Sequence, residues 1–184
     1  MKAFFRLSFV FIFIIFTFLI IYLAFTIESS EKTINQQQKN VIYELPYPGL
    51  LPGHPLYPIK IIRDKIIEFL TRDYYKKAQF YLLISDKKAI AGYQLAKKGE
   101  IKLAISTFSK GEKYFLKIPS LIKEIKKQGN QIPNDFIEKI KLANAKHHQL
   151  ILEMFKLAPQ GSQEDLNFLL KLNLEVKKSI EELP

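Results

Sequence analysis

Hydrophobic and polar positions divide the chain into three regions. Residues 7–27 form one charge-free run rich in Phe, Ile and Leu, and residues 28–45 are mostly polar with no clear period. From residue 56 onward, apolar residues recur every three or four positions, which is the spacing of one face of an α-helix. We therefore predict an all-α protein in which an N-terminal transmembrane helix is followed by a proline-rich strap and an antiparallel bundle of about five helices.

The apolar run has the length and flanking charges of a membrane anchor. A helix over residues 7–27 spans roughly 30 Å, the thickness of the hydrocarbon core of a bilayer. Lys2 and Arg6 precede the run and Glu28 follows it. The positive-inside rule then makes residues 1–6 a cytoplasmic tip and places everything after the run outside the cell membrane.

A cleaved secretion signal is the alternative to an uncleaved signal-anchor. A signal peptide has a shorter apolar core and ends at a small-x-small cleavage site, for which Ala24-Phe25-Thr26 is a poor candidate. The anchor is favoured. The sequence thus predicts a single-pass membrane protein with a polar stalk at residues 28–45 and an extracytoplasmic helical domain at residues 46–184.

Prolines are concentrated at the start of this domain, in the stretch PYPGLLPGHPLYP at residues 46–58. Proline fixes its own φ angle and drives the preceding residue toward extended conformations, so we predict a strap that docks on the helices. Tyr57 is expected to bury its ring against them. Pro58 suits the first turn of a helix, where its missing N–H has no cost.

Five helices are predicted after the strap. In the first, Ile59, Ile62, Ile66 and Phe69 share one face. Pro119 is expected to kink or split the third, since proline removes an interior hydrogen bond. The predicted helices cover about residues 56–70, 73–98, 100–128, 133–157 and 162–180.

The second and third predicted helices are expected to form an antiparallel hairpin across a turn at Gly99. Small residues on one helix would receive large side chains from the other. The small set is Ala78, Leu82, Ser85, Ala89, Gly92 and Ala96, and the large set is Ile101, Ile105, Phe108, Phe115, Ile118, Ile122 and Ile125.

The net charge of the chain indicates what kind of partner it would bind. The chain has 28 Lys and Arg against 18 Asp and Glu, a formal net charge of +10. Without the predicted cytoplasmic tip the balance is +8, which favours anionic partners such as wall polymers or lipid head groups. The predicted location argues against nucleic acid. The absence of cysteine excludes disulfides and thiolate chemistry.

One basic surface is predicted on the second helix. Lys76, Lys87 and Lys98 recur every eleven residues, so they stack along one face, and Lys77 and Lys88 widen it. Two interpretations stay open. The face is either an ordinary solvated surface or a track that binds anionic polymer, head groups or an acidic partner.

No motif for catalysis, a metal or a cofactor is present. HExxH, CxxC, P-loop and GxSxG patterns are all missing. His147 and His148 point about 100° apart on a helix, so they cannot share a metal and are expected at or near the surface. Ion pairing with basic neighbours accounts for Asp64, Glu68 and Asp73. We therefore predict no enzyme and no cofactor.

A Pro-Gly-x-x-Pro-x-x-Pro-Leu-Tyr-x-x-Lys pattern in the strap, followed by Phe69-Leu70-Thr71 and Lys98-Gly99, resembles a bacterial family called domain of unknown function 5667. The resemblance is closest over residues 46–100 and looser up to residue 183. It implies an all-helical domain outside the membrane, with no assigned activity and no catalytic residues. The strap residues that match are Pro48, Gly49, Pro52, Pro55, Leu56, Tyr57 and Lys60.

These observations predict an external, non-catalytic domain that binds or senses a protein partner. The alternative is an envelope-tethering protein whose basic helix face holds anionic cell-wall polymer or lipid head groups.

Overall fold

A computed structural model describes Thr17 and residues 41–183 of the chain. Helices account for most of the chain after the strap. No β-strand occurs within these residues, so the predicted all-α fold is confirmed for this part of the chain. The elements are α1 (Tyr57–Leu70), α2 (Tyr74–Lys97), α3 (Ile101–Phe115), α4 (Lys117–Lys127), α5 (Asn134–Leu157), a short 3-10 turn (Gln160–Ser162) and α6 (Gln163–Glu181).

Most of the predicted membrane-proximal region lies outside the described residues. This applies to the tip at residues 1–6, to the anchor at residues 7–27 except for Thr17, which is helical, and to the stalk up to residue 40. Among the helices that the structure does describe, none combines the length and the apolar character needed to cross a membrane.

Both ends of α2 are capped, and Asp73 serves as its N-cap rather than in an ion pair. The Asp73 side chain accepts a hydrogen bond from the Lys76 N–H at 2.7 Å and caps α2. At the other end of α2, Gly99 has a φ of 83°, and the Glu100 N–H bonds to the Leu95 carbonyl at 3.0 Å. This left-handed turn satisfies carbonyls that the helix leaves open, and it reverses the chain into α3.

The predicted third helix is split, and α3 and α4 are its two halves. α3 ends at Phe115 and α4 begins at Lys117. Pro119 lies in the first turn of α4, where a backbone N–H has no partner within the helix. The break therefore lets the chain bend without the loss of an interior hydrogen bond.

The predicted hairpin is confirmed by a close approach of α2 and α3. A Cβ atom added to Gly92 would lie only 2.8 Å from the Ala104 carbonyl oxygen and 2.9 Å from the Phe108 Cβ. One added to Gly111 would lie 3.0 Å from the Ser85 carbonyl oxygen. A side chain at position 92 would force the two helices apart, and one at position 111 would make an unusually tight contact.

Two hydrophobic clusters form the core of the described domain. The first brings Phe108 together with side chains of α5 and α6, and the second does the same for Phe115. His147 lies between them, because its ring is nearly perpendicular to the rings of Phe108 and Phe115, with centroids 5.6 and 5.4 Å away. The buried members include Leu150, Ile151, Met154, Leu166 and Leu169 in the first cluster, and Ile118, Ile122, Phe136, Ile140 and Val176 in the second.

α1 lies against the domain through its polar side. Ile59, Ile62, Ile66 and Phe69 share one face as predicted, but that face is turned to solvent, with Phe69 80% exposed. No residue of α1 is fully buried. The sequence pattern identified an apolar face that the described residues do not cover.

The strap is held to the start of α1 by Lys60. Its ammonium group donates hydrogen bonds to the carbonyl oxygens of Pro48 at 2.6 Å and Leu50 at 3.1 Å. Burial together with the nearby positive charges of α2 lowers the pKa of Lys60 to about 8. Tyr57, whose ring was expected to be buried against the helices, is partly buried and lines a small recess with residues of α2 and α3.

Candidate functional site

A cluster of ionisable side chains is buried where α2, α3 and α5 meet. His147 on α5 is fully buried, with Nδ1 2.8 Å from Glu112 Oε1 and Nε2 3.0 Å from Asp86 Oδ1. Carboxylate oxygens only accept hydrogen bonds, so both ring nitrogens must donate. The geometry therefore requires a protonated imidazole between two carboxylates.

The protonation of His147 is stabilised by these contacts. Burial by itself disfavours the charged ring, but the hydrogen bonds to Asp86 and Glu112 and their negative charges outweigh it and raise the pKa of His147 to about 9. The histidine is thus a cation throughout the neutral range.

Neutral polar groups complete the cluster. The Tyr43 hydroxyl donates to Asp86 Oδ2 at 2.6 Å, and the Asn173 amide donates to Glu112 Oε2 at 3.4 Å. Burial, followed by the charge of Asp86, raises the pKa of Tyr43 far above its usual value, so the phenol remains a donor. Within the described residues, every buried side-chain nitrogen and oxygen has a hydrogen-bond partner.

The charged side chains of this cluster are buried in the interior of the domain. Asp86 and Glu112 each bond to His147, and all three side chains are buried. No group of His, Asp and Glu side chains suited to hold a metal ion occurs within residues 41–183. The cluster links α2, α3 and α5.

An open groove of about 580 Å³ lies between α5 and α6, on the other side of Asn173 from the cluster. Apart from Val41, which precedes the strap, its lining follows one stripe of each helix at helical spacing, and most of the surface is apolar. Leu152 and Leu174 are 46% and 47% exposed there. The lining includes Lys141, Ala145 and His148 from α5 and Lys177, Ile180 and Glu181 from α6.

Asn173 connects the groove to the buried cluster. Its side chain lines the groove, its Nδ2 donates to Glu112, and its Oδ1 accepts a hydrogen bond from His148 Nδ1 at 3.1 Å. It also donates to the Asn144 carbonyl at 3.2 Å, while the Asn144 amide donates back to the Asn173 carbonyl at 3.1 Å. This reciprocal pair fixes α5 against α6 and thereby sets the shape of the groove floor.

The five lysines predicted as a basic surface lie in different environments. Lys76 and Lys98 are exposed, whereas Lys77, Lys87 and Lys88 are partly buried. Lys87 and Lys88 line a small recess that α1 shares with α2 and α3. Burial lowers the pKa of Lys88. α1 thus lies beside the middle of the lysine row, at Lys87 and Lys88. The ends of the row, at Lys76 and Lys98, are exposed to solvent.

Glu68 is the main contact of α1 with the bundle. Its carboxylate accepts hydrogen bonds from Tyr81 at 3.0 Å and Tyr114 at 3.3 Å, and it pairs with Lys65 at 2.8 Å and Lys117 at 3.5 Å. Burial opposes its ionisation, but the hydrogen bonds from Lys65 and Tyr81 and the charge of Lys117 lower the pKa of Glu68 to about 2. This contact draws the polar side of α1 inward.

The ion cluster was not predicted from the sequence, and His147 was expected at or near the surface, whereas it is fully buried. A signal was present, because each member interrupts an apolar stripe. Glu112 follows Phe108 by four residues and precedes Phe115 by three, while Asp86 lies between Leu82 and Ala89 in the same way.

These features define the class of the protein: an all-helical domain with a strap, a closed ion cluster in its core and an open groove. A model of the family described as "Domain of unknown function (DUF5667)" matches residues 49–183, and the chain belongs to this family. The resemblance seen in the strap motif is thereby confirmed. No curated protein and no solved structure matches the chain.

Proposed function

We propose that this protein is a non-catalytic binding protein of the bacterial cell membrane. Its helical domain lies outside the membrane, carried by the anchor at residues 7–27, and binds a helical segment of a protein partner. The single observation that carries this proposal is the groove between α5 and α6. The groove combines an open shape, an apolar lining and a floor where reciprocal Asn144–Asn173 hydrogen bonds join α5 to α6.

The dimensions of the groove fit a helix. Its lining on α5 extends from Lys141 to Leu152, which corresponds to about 16 Å, or three helical turns. Recognition of amphipathic helices by apolar grooves is a recurring binding mode, in which anchors at helical spacing enter the groove. Leu152 and Leu174 are the apolar contacts that such anchors would meet.

The charge near the groove indicates which helix would fit. Lys141 and Lys177 line it, while Glu181 is an acidic group in the lining. The formal charge of the whole chain is +10. An amphipathic helix with acidic residues on either side of its apolar stripe would therefore be complementary, and this charge would speed its association.

The closed ion cluster supports binding over catalysis. A general acid or base must reach the reacting atom within hydrogen-bond distance, and His147 is fully buried. Its hydrogen bonds join α2, α3 and α5, and Asn173 joins α6 to Glu112 of the same cluster, so both helices of the groove are held in place.

Site-specific photo-crosslinking in the native membrane tests the proposal. A photoreactive residue replaces Leu174 in the full chain and is expected to crosslink one discrete protein. Mass spectrometry should locate the crosslink in an amphipathic helix of that protein, with acidic residues flanking its apolar stripe. The same residue at Phe168, which is exposed on α6 outside the groove lining, serves as the control. Leu152→Asp should abolish the crosslink at Leu174.

Binding of anionic wall polymer without a crosslink in the groove would favour the envelope-tethering function. If the groove gives no specific crosslink, while isolated anionic wall polymer binds the full chain at low salt and is released by Lys76→Gln with Lys98→Gln, the proposal is wrong. Screening of exposed charges by salt is the property that separates the two functions.

A further inference from the structure

The outward face of α1 is an apolar surface without a cover among the described residues. We define the outer face of α1 as Ile59, Ile62, Ile66, Phe69 and Leu70, all of which are more than half exposed. Scattered exposed apolar residues are ordinary, but a contiguous apolar helix face usually marks an interaction site.

The charged residues of α1 are arranged around this face in a definite order. At 100° per residue, Arg63 and Lys65 project to its two sides, while Asp64 and Glu68 lie opposite to it. Both carboxylates have basic partners, Arg63 for Asp64 and Lys65 and Lys117 for Glu68. The outward surface of α1 is therefore apolar in the middle and free of acidic side chains, with Arg63 and Lys65 at its edges, each ion-paired with a carboxylate behind the face.

We propose that the outer face of α1 lies in the head-group region of the lipid bilayer, parallel to the membrane surface. An apolar stripe with basic edges is the pattern of interfacial helices, which bury the stripe at the boundary of the acyl chains and bring Lys and Arg to lipid phosphates. The inference rests on the proposed membrane anchor.

The length of the chain before the domain permits this contact. Residues 28–40 connect the predicted anchor to Val41, and fully extended they reach at most roughly 45 Å. The domain is therefore tethered close to the bilayer, so even a weak interfacial helix would be membrane-bound because of its high local concentration.

A second copy of the chain fits this face less well. Two outer faces packed together would bring the basic edges at Arg63 and Lys65 against each other, with Asp64 and Glu68 turned away. Like charges that face each other oppose association. A bilayer that contains anionic lipid offers the complementary charge instead.

Depth-dependent fluorescence quenching in vesicles tests the proposal with the full chain. The sequence has no cysteine, so Ile66→Cys gives one labelling position for an environment-sensitive dye. The chain is reconstituted in phosphatidylcholine vesicles with a minority of phosphatidylglycerol, with or without spin-labelled acyl chains. We expect a blue-shifted emission and a loss of about half the intensity or more in the spin-labelled bilayer.

Two controls make the result specific. The dye at Lys171→Cys, an exposed polar position on α6, should show neither effect. Ile59→Asp combined with Ile62→Asp should abolish quenching at position 66 without a change in melting temperature, because both side chains are solvent-exposed in the folded domain.

Each remaining outcome has a distinct meaning. The proposal is wrong if the dye at position 66 remains exposed to water. It is also wrong if the dye is shielded from water but not quenched by the spin-labelled lipid, and that result would assign the face to a protein partner or a second copy. A chain that fails to float with the vesicles overturns the proposed anchor as well. Groove crosslinking at Leu174 should survive Ile59→Asp with Ile62→Asp, which separates this surface from the binding function.

Discussion

At the scale of single residues, His147 is the point where electrostatics and packing meet. It is a cation in an apolar interior, and two carboxylates from different helices compensate its charge. Replacing such an ion cluster as a whole is often neutral, whereas removal of one member leaves buried charges without compensation. The consequences of single substitutions are therefore large.

We predict that His147→Gln lowers the free energy of unfolding by about 3–5 kcal/mol. Asp86 and Glu112 would then face each other without a cation between them. Chemical denaturation followed by circular dichroism measures the effect. His148→Gln is the matched control, because His148 is only partly buried and bonds to a neutral amide, so its cost should be close to 1 kcal/mol. Equal losses for the two variants would contradict the assigned role of His147.

The same cluster predicts how stability depends on pH. The pKa of His147 is raised in the folded domain, to about 9, above the ordinary value near 6.5. Its stabilising contribution is therefore fully present below about pH 6.5 and is lost as the pH rises through about 9, with a total on the order of 3 kcal/mol. Denaturation of the wild type and of His147→Gln across this range gives the contribution by difference. A constant difference would contradict the prediction.

The sequence indicates that charged residues of this cluster are buried, but it does not show which residues they pair with. A charged residue within an apolar stripe, such as Glu112 between Phe108 and Phe115, indicates a buried position that needs a partner. It does not identify the partner. Asp86 and Glu112 are 61 and 35 positions from His147 in the chain, and only the packing of α2, α3 and α5 brings them together.

At the scale of secondary-structure elements, the contact between α2 and α3 is limited by backbone proximity. We predict that Gly92→Ala destabilises the domain by about 1–3 kcal/mol, because the new methyl group would overlap the Ala104 carbonyl and Phe108 unless the helices separate. Gly161→Ala is the control, since no atom lies near its added Cβ. Thermal melts of both variants decide the point, and an unchanged melting temperature for Gly92→Ala would contradict the observed approach.

The strap depends on the Lys60 ammonium group for its attachment to α1. Lys60→Met keeps most of the side-chain stem but removes the hydrogen bonds to Pro48 and Leu50. We expect faster hydrogen exchange at the His54 and Tyr57 amides, whose bonds lie within the strap turn, with little change in the bundle. Lys65→Met should leave these amides unchanged. If exchange at both amides is unaffected by Lys60→Met, other contacts hold the strap.

Helices were predictable as elements, but the orientation of α1 was not. Periodicity and capping residues such as Asp73 and Gly99 define where helices lie, because they act locally. Periodicity also shows that α1 has an apolar face, but not what covers it. The inward side is decided by Glu68, whose partners Tyr81, Tyr114 and Lys117 come from three other helices.

At the scale of the whole domain, the bundle joins two hydrophobic clusters through shared helices. α5 contributes Leu150 to the first cluster and Ile140 to the second, and α6 contributes Leu169 and Val176 in the same way. The ion cluster lies at the junction, beside Phe108 and Phe115. Neither cluster can lose its packing without strain on the helices that build the other.

This arrangement predicts a single cooperative unfolding transition for the helical domain. Met154→Ala in the first cluster and Ile122→Ala in the second each remove a fully buried side chain, and each should cost about 2–5 kcal/mol. Because α2, α3, α5 and α6 cross both clusters, we expect each variant to speed the slowest amide exchange in both clusters by the same factor. Hydrogen exchange measured by mass spectrometry resolves the two regions. Faster exchange confined to the second cluster in Ile122→Ala, with the first unchanged, would instead show that the two clusters unfold as separate units.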